Sequence, residues 1–278
     1  MTEATHPNSP QSVGIADGLA DPKTETLRSS PDDSPVRVGG LTDVGRVREL
    51  NEDNLHWEDL DSQTALYAVA DGMGGHDRGE VASQVAVDSL FEAARRGLSD
   101  VNERQPLVLR ELMRGFMQTA NRSVIAKGEE HESNMGTTLC AALVHGRDAI
   151  VANVGDSRVY LMRGGNLIRI SQDHSLVGFL ETLGELTPSE ARNHPSGNIL
   201  VRSIGSVHEV EVDVFHVEIE KDDRILLCSD GLWGELEDHE IAATLVSEDD
   251  CQLACSTLVD MANENGGRDN STLVLVTV

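Results

Sequence analysis

The sequence predicts an α+β domain in which two packed antiparallel sheets carry helices on their outer sides. Three observations lead there. An apolar strand-like run is followed by two long segments of helical period, then by a series of short β-type runs separated by glycine turns, and strand and helix signals return towards the C-terminus. No internal repeat is present. A 278-residue chain with 39% hydrophobic residues can build a sizeable core, and we expect one domain over residues 37–278.

Residues 1–36 are rich in Pro, Ser, Thr, Asp and Gly without a sustained apolar period. They cannot bury enough surface to offset their ordering entropy and are expected to form a disordered tail. From Val38 the pattern turns to strand. Residues 64–70 (TALYAVA), stopped by Asp71-Gly72, read as a buried strand entering a loop. Residues 80–96 and 107–127 repeat apolar side chains at three- and four-residue spacing, as amphipathic helices do.

Short strands are expected next at 137–144, 149–154, 157–163 and 167–170. The turn signals between them are His145-Gly146, Gly155-Asp156 and Gly164-Gly165-Asn166, which suit an antiparallel meander. Residues 175–202 hold a short helical stretch at 187–192 and no sheet pattern, an excursion from the core. Strands return at 210–219, 224–228 and 271–278, with a helix pair at 238–245 and 249–263.

The formal net charge of -26 repels phosphate backbones and anionic lipid, so nucleic acid and membrane surfaces are excluded as general partners, while cations and basic peptides suit it. Aromatics are only 3% of the chain, and Trp57 and Trp233 read as packing anchors. Cys140, Cys228, Cys251 and Cys255 form no CxxC pair or disulfide-framework spacing. With no signal-peptide core and no apolar run of about 18 residues, a cytoplasmic protein is expected.

Most of the 48 acids do no more than solubilise. A few fall where strand meets loop: Asp71 after TALYAVA, Asp230 after RILLCS, Asp269 before STLVLVTV, and Glu52-Asp53 before NLHW. Carboxylates that converge from strand ends repel one another unless protonated or neutralised by cations, and an all-oxygen set favours hard ions such as Mg2+ or Mn2+. Read singly, each is equally an ordinary loop acid capping a turn. Glycines tip the balance: Asp71-Gly72-Met73-Gly74-Gly75, Asp230-Gly231 and Gly266-Gly267-Arg268-Asp269 let backbone approach a ligand closely.

Six motifs in order then resemble the PPM/PP2C metal-dependent serine/threonine protein phosphatases of bacterial type. They are residues 42–53 (TDVGRVRELNED), Asp71-Gly72-Met73-Gly74-Gly75, Gly136-Thr137-Thr138, Gly155-Asp156-Ser157-Arg158, Ser229-Asp230-Gly231 and Arg268-Asp269-Asn270, covering about residues 38–278. The resemblance implies a four-layer αββα sandwich and hydrolysis of phosphoserine and phosphothreonine with two Mn2+ or Mg2+ ions. It also implies that Asp71 bridges the ions, Asp230 and Asp269 complete one site, and Glu52 and the Gly72 carbonyl serve the other. Asp53 then holds the attacking water and acts as general base, Arg48 clamps the substrate phosphate, and Asn270 supports Asp269. Paired ions lower the pKa of a water from near ~16 to roughly 7. Arg48 suits the clamp because its planar fork binds two oxygens at once. Asp156 reads as fixing a turn. The partners implied are phosphorylated proteins, a serine/threonine kinase and its substrates, met by a monomer.

The chain departs from the family pattern in two places. Met73 stands where eukaryotic members usually carry the histidine that is a candidate general acid, which leaves water or His76 for that role. The stretch before Gly136, residues 129–135 (EEHESNM), lacks the Asp expected for a third ion, leaving Glu132 or His131 as substitutes. Residues 175–202 match the position of the flap beside the active site in bacterial relatives, a place for substrate selection. Two other readings stay open: a non-catalytic module that kept the fold, and a sporulation-type phosphatase. The first sits poorly with the full set of acids, the second with the complete Arg-x-x-Asn-Glu-Asp element at 48–53.

Overall fold

The structure, a computed structural model, describes residues 25–29, 35–74 and 78–278. The chain begins with β1 (Glu25–Ser29), β2 (Pro35–Asp43), β3 (Asp53–Asp59) and β4 (Thr64–Met73), followed by the helices α1 (Gly79–Ser99) and α2 (Pro106–Glu130). The meander is β5 (Gly136–Thr137), β6 (Leu139–His145), β7 (Asp148–Val154), β8 (Arg158–Arg163) and β9 (Asn166–Arg169). Two short helices, α3 (Leu176–Thr182) and α4 (Pro188–Arg192), occupy the excursion. Then come β10 (Asp213–Glu218), β11 (Arg224–Cys228), the single turn α5 (Asp230–Trp233), α6 (Asp238–Ser247), α7 (Cys251–Glu264) and β12 (Ser271–Thr277).

One sheet has the order β1-β2-β12-β11-β8-β9 and the other β10-β7-β6-β4-β3, with β5 added at the end of β4; all pairings are antiparallel. Side-chain alternation along β4 explains why residues 64–70 are apolar throughout. Ala65, Tyr67 and Val69 enter the core between the sheets, whereas Leu66, Ala68 and Ala70 meet the apolar faces of α1 and α2. In β12, Val274 and Val276 face the other sheet, while Leu273 and Leu275 meet α6 and α7. The result is the expected helix–sheet–sheet–helix stack, with α1 and α2 on one outer side and α6 and α7 on the other.

Local signals place the helix boundaries. Pro106 opens α2 at a position where its missing N–H costs nothing, and Asp250 caps α7 by accepting the Leu253 N–H at 2.8 Å. Strand 137–144 splits at Thr138, whose hydroxyl and N–H turn to Asp71 instead of continuing the ladder. The tail expectation needs correcting for five residues: Glu25–Ser29 pairs with β2, because the edge of β2 offers unpaired N–H and C=O groups that an extended segment can satisfy. The rest of that tail, residues 1–24 and 30–34, lies outside the described residues. Helices α3 and α5 also go beyond the sequence expectations. Among the described residues, no helix is long and apolar enough to cross a membrane.

Candidate active site

Antiparallel pairing brings the acids together. Asp53 at the start of β3 stands directly opposite Asp71 near the end of β4, an arrangement of like charges that costs stability unless something neutralises it. Asp230 begins α5 immediately after β11, and Asp269 lies in the turn into β12, the strand between β11 and β2. The Asp71 backbone is held on both sides: its N–H donates to Thr138 Oγ1 at 2.9 Å, and its carbonyl accepts from Thr138 N and Thr137 Oγ1, each at 2.8 Å. The Gly-Thr-Thr motif therefore clamps the central carboxylate's strand.

Asp53 is buried, and its Oδ2 accepts from Ser229 Oγ at 2.7 Å, while Oδ1 is buried without a partner, as is Asp230 Oδ1. Burial pushes the Asp53 carboxyl up to about 8, against the pull of hydrogen bonds from Thr272 and Ser229, with Asp230 and Asp269 pushing it further. Asp71 is raised well above the usual carboxylate range by desolvation, then by the charges of Asp53, Asp230, Asp156 and Asp269. Burial and then the charge of Asp269 raise Asp230 to about 6, although a hydrogen bond with Asp71 and the charge of Arg48 pull the other way.

Asp156 sits in the bend between β7 and β8, as its turn signal suggests, and it also belongs to this cluster. It is buried, its carboxyl is raised by desolvation and by the charges of Asp230 and Asp173, and it lines a cleft of about 410 Å³ together with Asp230 and Asp269. Its Gly155-Asp156 turn signal concealed this, since only the return of β8 beside β11 carries that turn to Asp230.

Glu52 stands at the junction of β3 and α1. Its Oε1 accepts the Gly79 N–H at 3.1 Å, its carbonyl accepts from Gly72 N at 3.1 Å and Ser83 Oγ at 2.6 Å, and its own N–H donates to Asn270 Oδ1 at 2.9 Å. A Cβ on Gly72 would lie 2.1 Å from the Gly79 oxygen, and one on Gly79 would lie 2.4 Å from Glu52 Oε1. Only glycine at both positions lets the backbone come this close.

Asn270 donates to Asp269 through its backbone, while its side chain serves the neighbouring loop. The Asn270 amide accepts from Glu52 and donates to the Val44 and Leu50 carbonyls at 2.9 Å each, tying down the loop that carries Arg48; only its backbone N–H reaches Asp269 Oδ1, at 2.9 Å. Arg48 donates through Nη2 to Asp269 Oδ2 at 2.7 Å. Met73 ends β4, and His76 lies outside the described residues. Glu132 lines a second cavity of about 630 Å³ with Met73 and Met135, not the cleft of Asp156, Asp230 and Asp269.

Among the described residues, no three His, Cys, Asp or Glu side chains are already gathered into a metal-holding arrangement. The donor chemistry nevertheless fits hard cations. Two buried carboxylate oxygens lack partners, the acids around them raise one another's pKa, and every side-chain donor is oxygen.

Comparison with known proteins agrees with this geometry. The family model for protein phosphatase 2C matches residues 45–266. The serine/threonine phosphatase stp of Listeria welshimeri is 39% identical over 238 residues, 84% of this chain and 93% of the relative. The structure of the S. agalactiae serine/threonine phosphatase superposes with a TM-score of 0.79 at 34% identity, covering 87% of this chain and 99% of that one. The catalytic domain of the serine/threonine protein phosphatase PstP, solved in complex with two manganese ions, gives 0.75 at 33% identity and covers 87% and 97%. Matched across nearly the full length of these relatives, and with the sheet topology and acids in place, the chain belongs to the protein phosphatase 2C family of metal-dependent serine/threonine phosphatases.

Proposed function

We propose that this bacterial-type phosphatase removes phosphate from phosphoserine and phosphothreonine in proteins with two divalent cations, manganese or magnesium, and opposes a serine/threonine kinase in the cytoplasm. The observation that carries the reading is the pair of unpartnered oxygens, Asp53 Oδ1 and Asp230 Oδ1, buried beside Asp71. Asp71 would bridge the cations, with Asp230 and Asp269 completing one site and Glu52 and the Gly72 carbonyl the other. When bound, the cations supply a water of lowered pKa and neutralise charge on the phosphoryl oxygens.

The chain's own residues do the rest. Ser229 fixes Asp53 through Oδ2, leaving Oδ1 to accept a proton from the attacking water and orient it. Arg48, on the loop secured by Asn270, exchanges its hydrogen bond to Asp269 for two phosphate oxygens. Met73 has no proton to give, so within β4 nothing at that position protonates the leaving alkoxide.

Purified protein should hydrolyse p-nitrophenyl phosphate and a phosphothreonine peptide with Mn2+ and lose both activities in EDTA. Unchanged rates in Asp71→Asn or Asp230→Asn would sink the two-cation assignment. Comparing phosphoproteomes with and without the protein identifies the opposing kinase's substrates.

A further inference from the structure

Helices α3 and α4 of the flap pack against each other and against no other helix or strand to a comparable extent. Val177 and Ala191 are their only buried apolar side chains, apart from Gly178, while Phe179 and Leu183 remain exposed. Hydrophobic burial therefore contributes little to holding this segment on the body, and its attachment is polar.

The strongest of those attachments from α4 is Arg192, its last residue. The Arg192 side chain is only 17% exposed, and Nη1 donates to the Trp233 carbonyl and, at 2.8 Å, to the Leu236 carbonyl. Glu237 and Asp238 lie 3.5 and 3.7 Å from the same guanidinium. Trp233 is the end of α5, the single turn that Asp230 begins, and the Gly234 N–H closes that turn on the Asp230 carbonyl at 2.7 Å. On its other side, the Trp233 ring lies 3.6 Å from the Arg158 guanidinium carbon, and its Nε1 donates to the Asp156 carbonyl at 3.1 Å. One tryptophan thus joins the flap's anchor to two acids of the cleft.

We propose that Arg192 is a positioning residue that couples docking of the flap to the placement of Asp230, so that flap docking and cation binding at the acidic cluster favour each other. The flap grips the Trp233 carbonyl at the end of the same turn that Asp230 begins, and such a coupling is reciprocal: whatever steadies one partner steadies the other. The inference rests on the reading of Asp230 as a cation ligand.

The test uses the full chain with Mn2+ alone, followed by calorimetric titration and by amide hydrogen exchange of residues 176–192. Mn2+ should slow exchange across the flap in the wild type. Arg192→Ala, which loses both carbonyl contacts, should abolish that slowing and weaken Mn2+ binding about tenfold, ~1.4 kcal/mol. Arg192→Lys, reaching one carbonyl instead of two, should recover part of both effects; it also carries the comparison if the alanine variant fails to fold. If Arg192→Ala binds Mn2+ within about twofold of wild type and its flap is protected equally, the coupling is refuted while the cation site stands. If wild type binds no Mn2+, or Asp230→Asn binds as well as wild type, the underlying site assignment is what fails.

Discussion

Arg48 and Asp269 hold each other: Nη2 of the arginine donates to Oδ2 of the aspartate at 2.7 Å. Burial by itself disfavours the guanidinium's charge, but the hydrogen bond and charge of Asp269, backed by Asp230 and Asp71, outweigh that and raise its pKa. The Arg48 guanidinium is thus held in part by Asp269. Arg48→Ala should raise KM for a phosphothreonine peptide about 10- to 100-fold, from the ~1.5–3 kcal/mol of hydrogen bonding to a charged group. Arg48→Lys should restore little of this, because an ammonium lacks the planar fork. A KM within about twofold of wild type would remove Arg48 from phosphate binding.

The acidic cluster makes the cation-free protein sensitive to pH. Asp53 rises from 3.8 to about 8 and Asp230 to about 6 on folding. These groups keep protons that the unfolded chain releases, so their contribution is most favourable below about pH 4 and is lost progressively as pH rises towards 8. The EDTA-treated protein should therefore melt at a lower temperature at pH 8 than at pH 5.5, and Mn2+ should raise the pH 8 value most. Equal melting temperatures at both pH values, without a Mn2+ effect, would show that the cluster is not electrostatically frustrated.

Ser229 donates to Asp53 and accepts the Thr272 N–H at 3.0 Å. Ser229→Ala removes a hydrogen bond to the carboxylate form and leaves that buried N–H without its acceptor. The kcat should fall about tenfold, and the acid limb of the rate profile should move to higher pH, because this hydrogen bond lowers the Asp53 pKa. A lower kcat with an unmoved acid limb would mean that Ser229 serves stability alone.

Asn270 ties three backbone groups, at Val44, Leu50 and Glu52, through one amide. Asn270→Ala should destabilise the fold by about 2–4 kcal/mol in denaturant titrations, since buried or half-buried groups lose their partners together. Asn270→Asp keeps the acceptor for Glu52 but not the two donors, and it adds charge beside the acids. It should therefore rescue less than half of the loss; full rescue would show that the contacts to Val44 and Leu50 contribute nothing.

The sequence alone determined the elements whose signal is local. Residues 64–70 read as a strand buried on both faces, α1 and α2 followed from their apolar period, and acids beside glycine at strand ends marked where chemistry gathers. The order of the motifs then pointed to the family. Only the tertiary structure decided what meets what. Asp53 faces Asp71 through ladder register, and Asp230 reaches them where the two sheets pack, its neighbour Ser229 donating to Asp53. Asp156 joins the cluster through β8, the Asn270 side chain secures the Arg48 loop while its N–H donates to Asp269, and Arg192 bridges the flap to Trp233. β1 escaped notice because an edge strand owes its form to its partner's open hydrogen bonds, not to its own composition. Periodicity and turn chemistry act over a few residues, whereas these contacts join residues up to 226 positions apart and arise only when the sheets assemble.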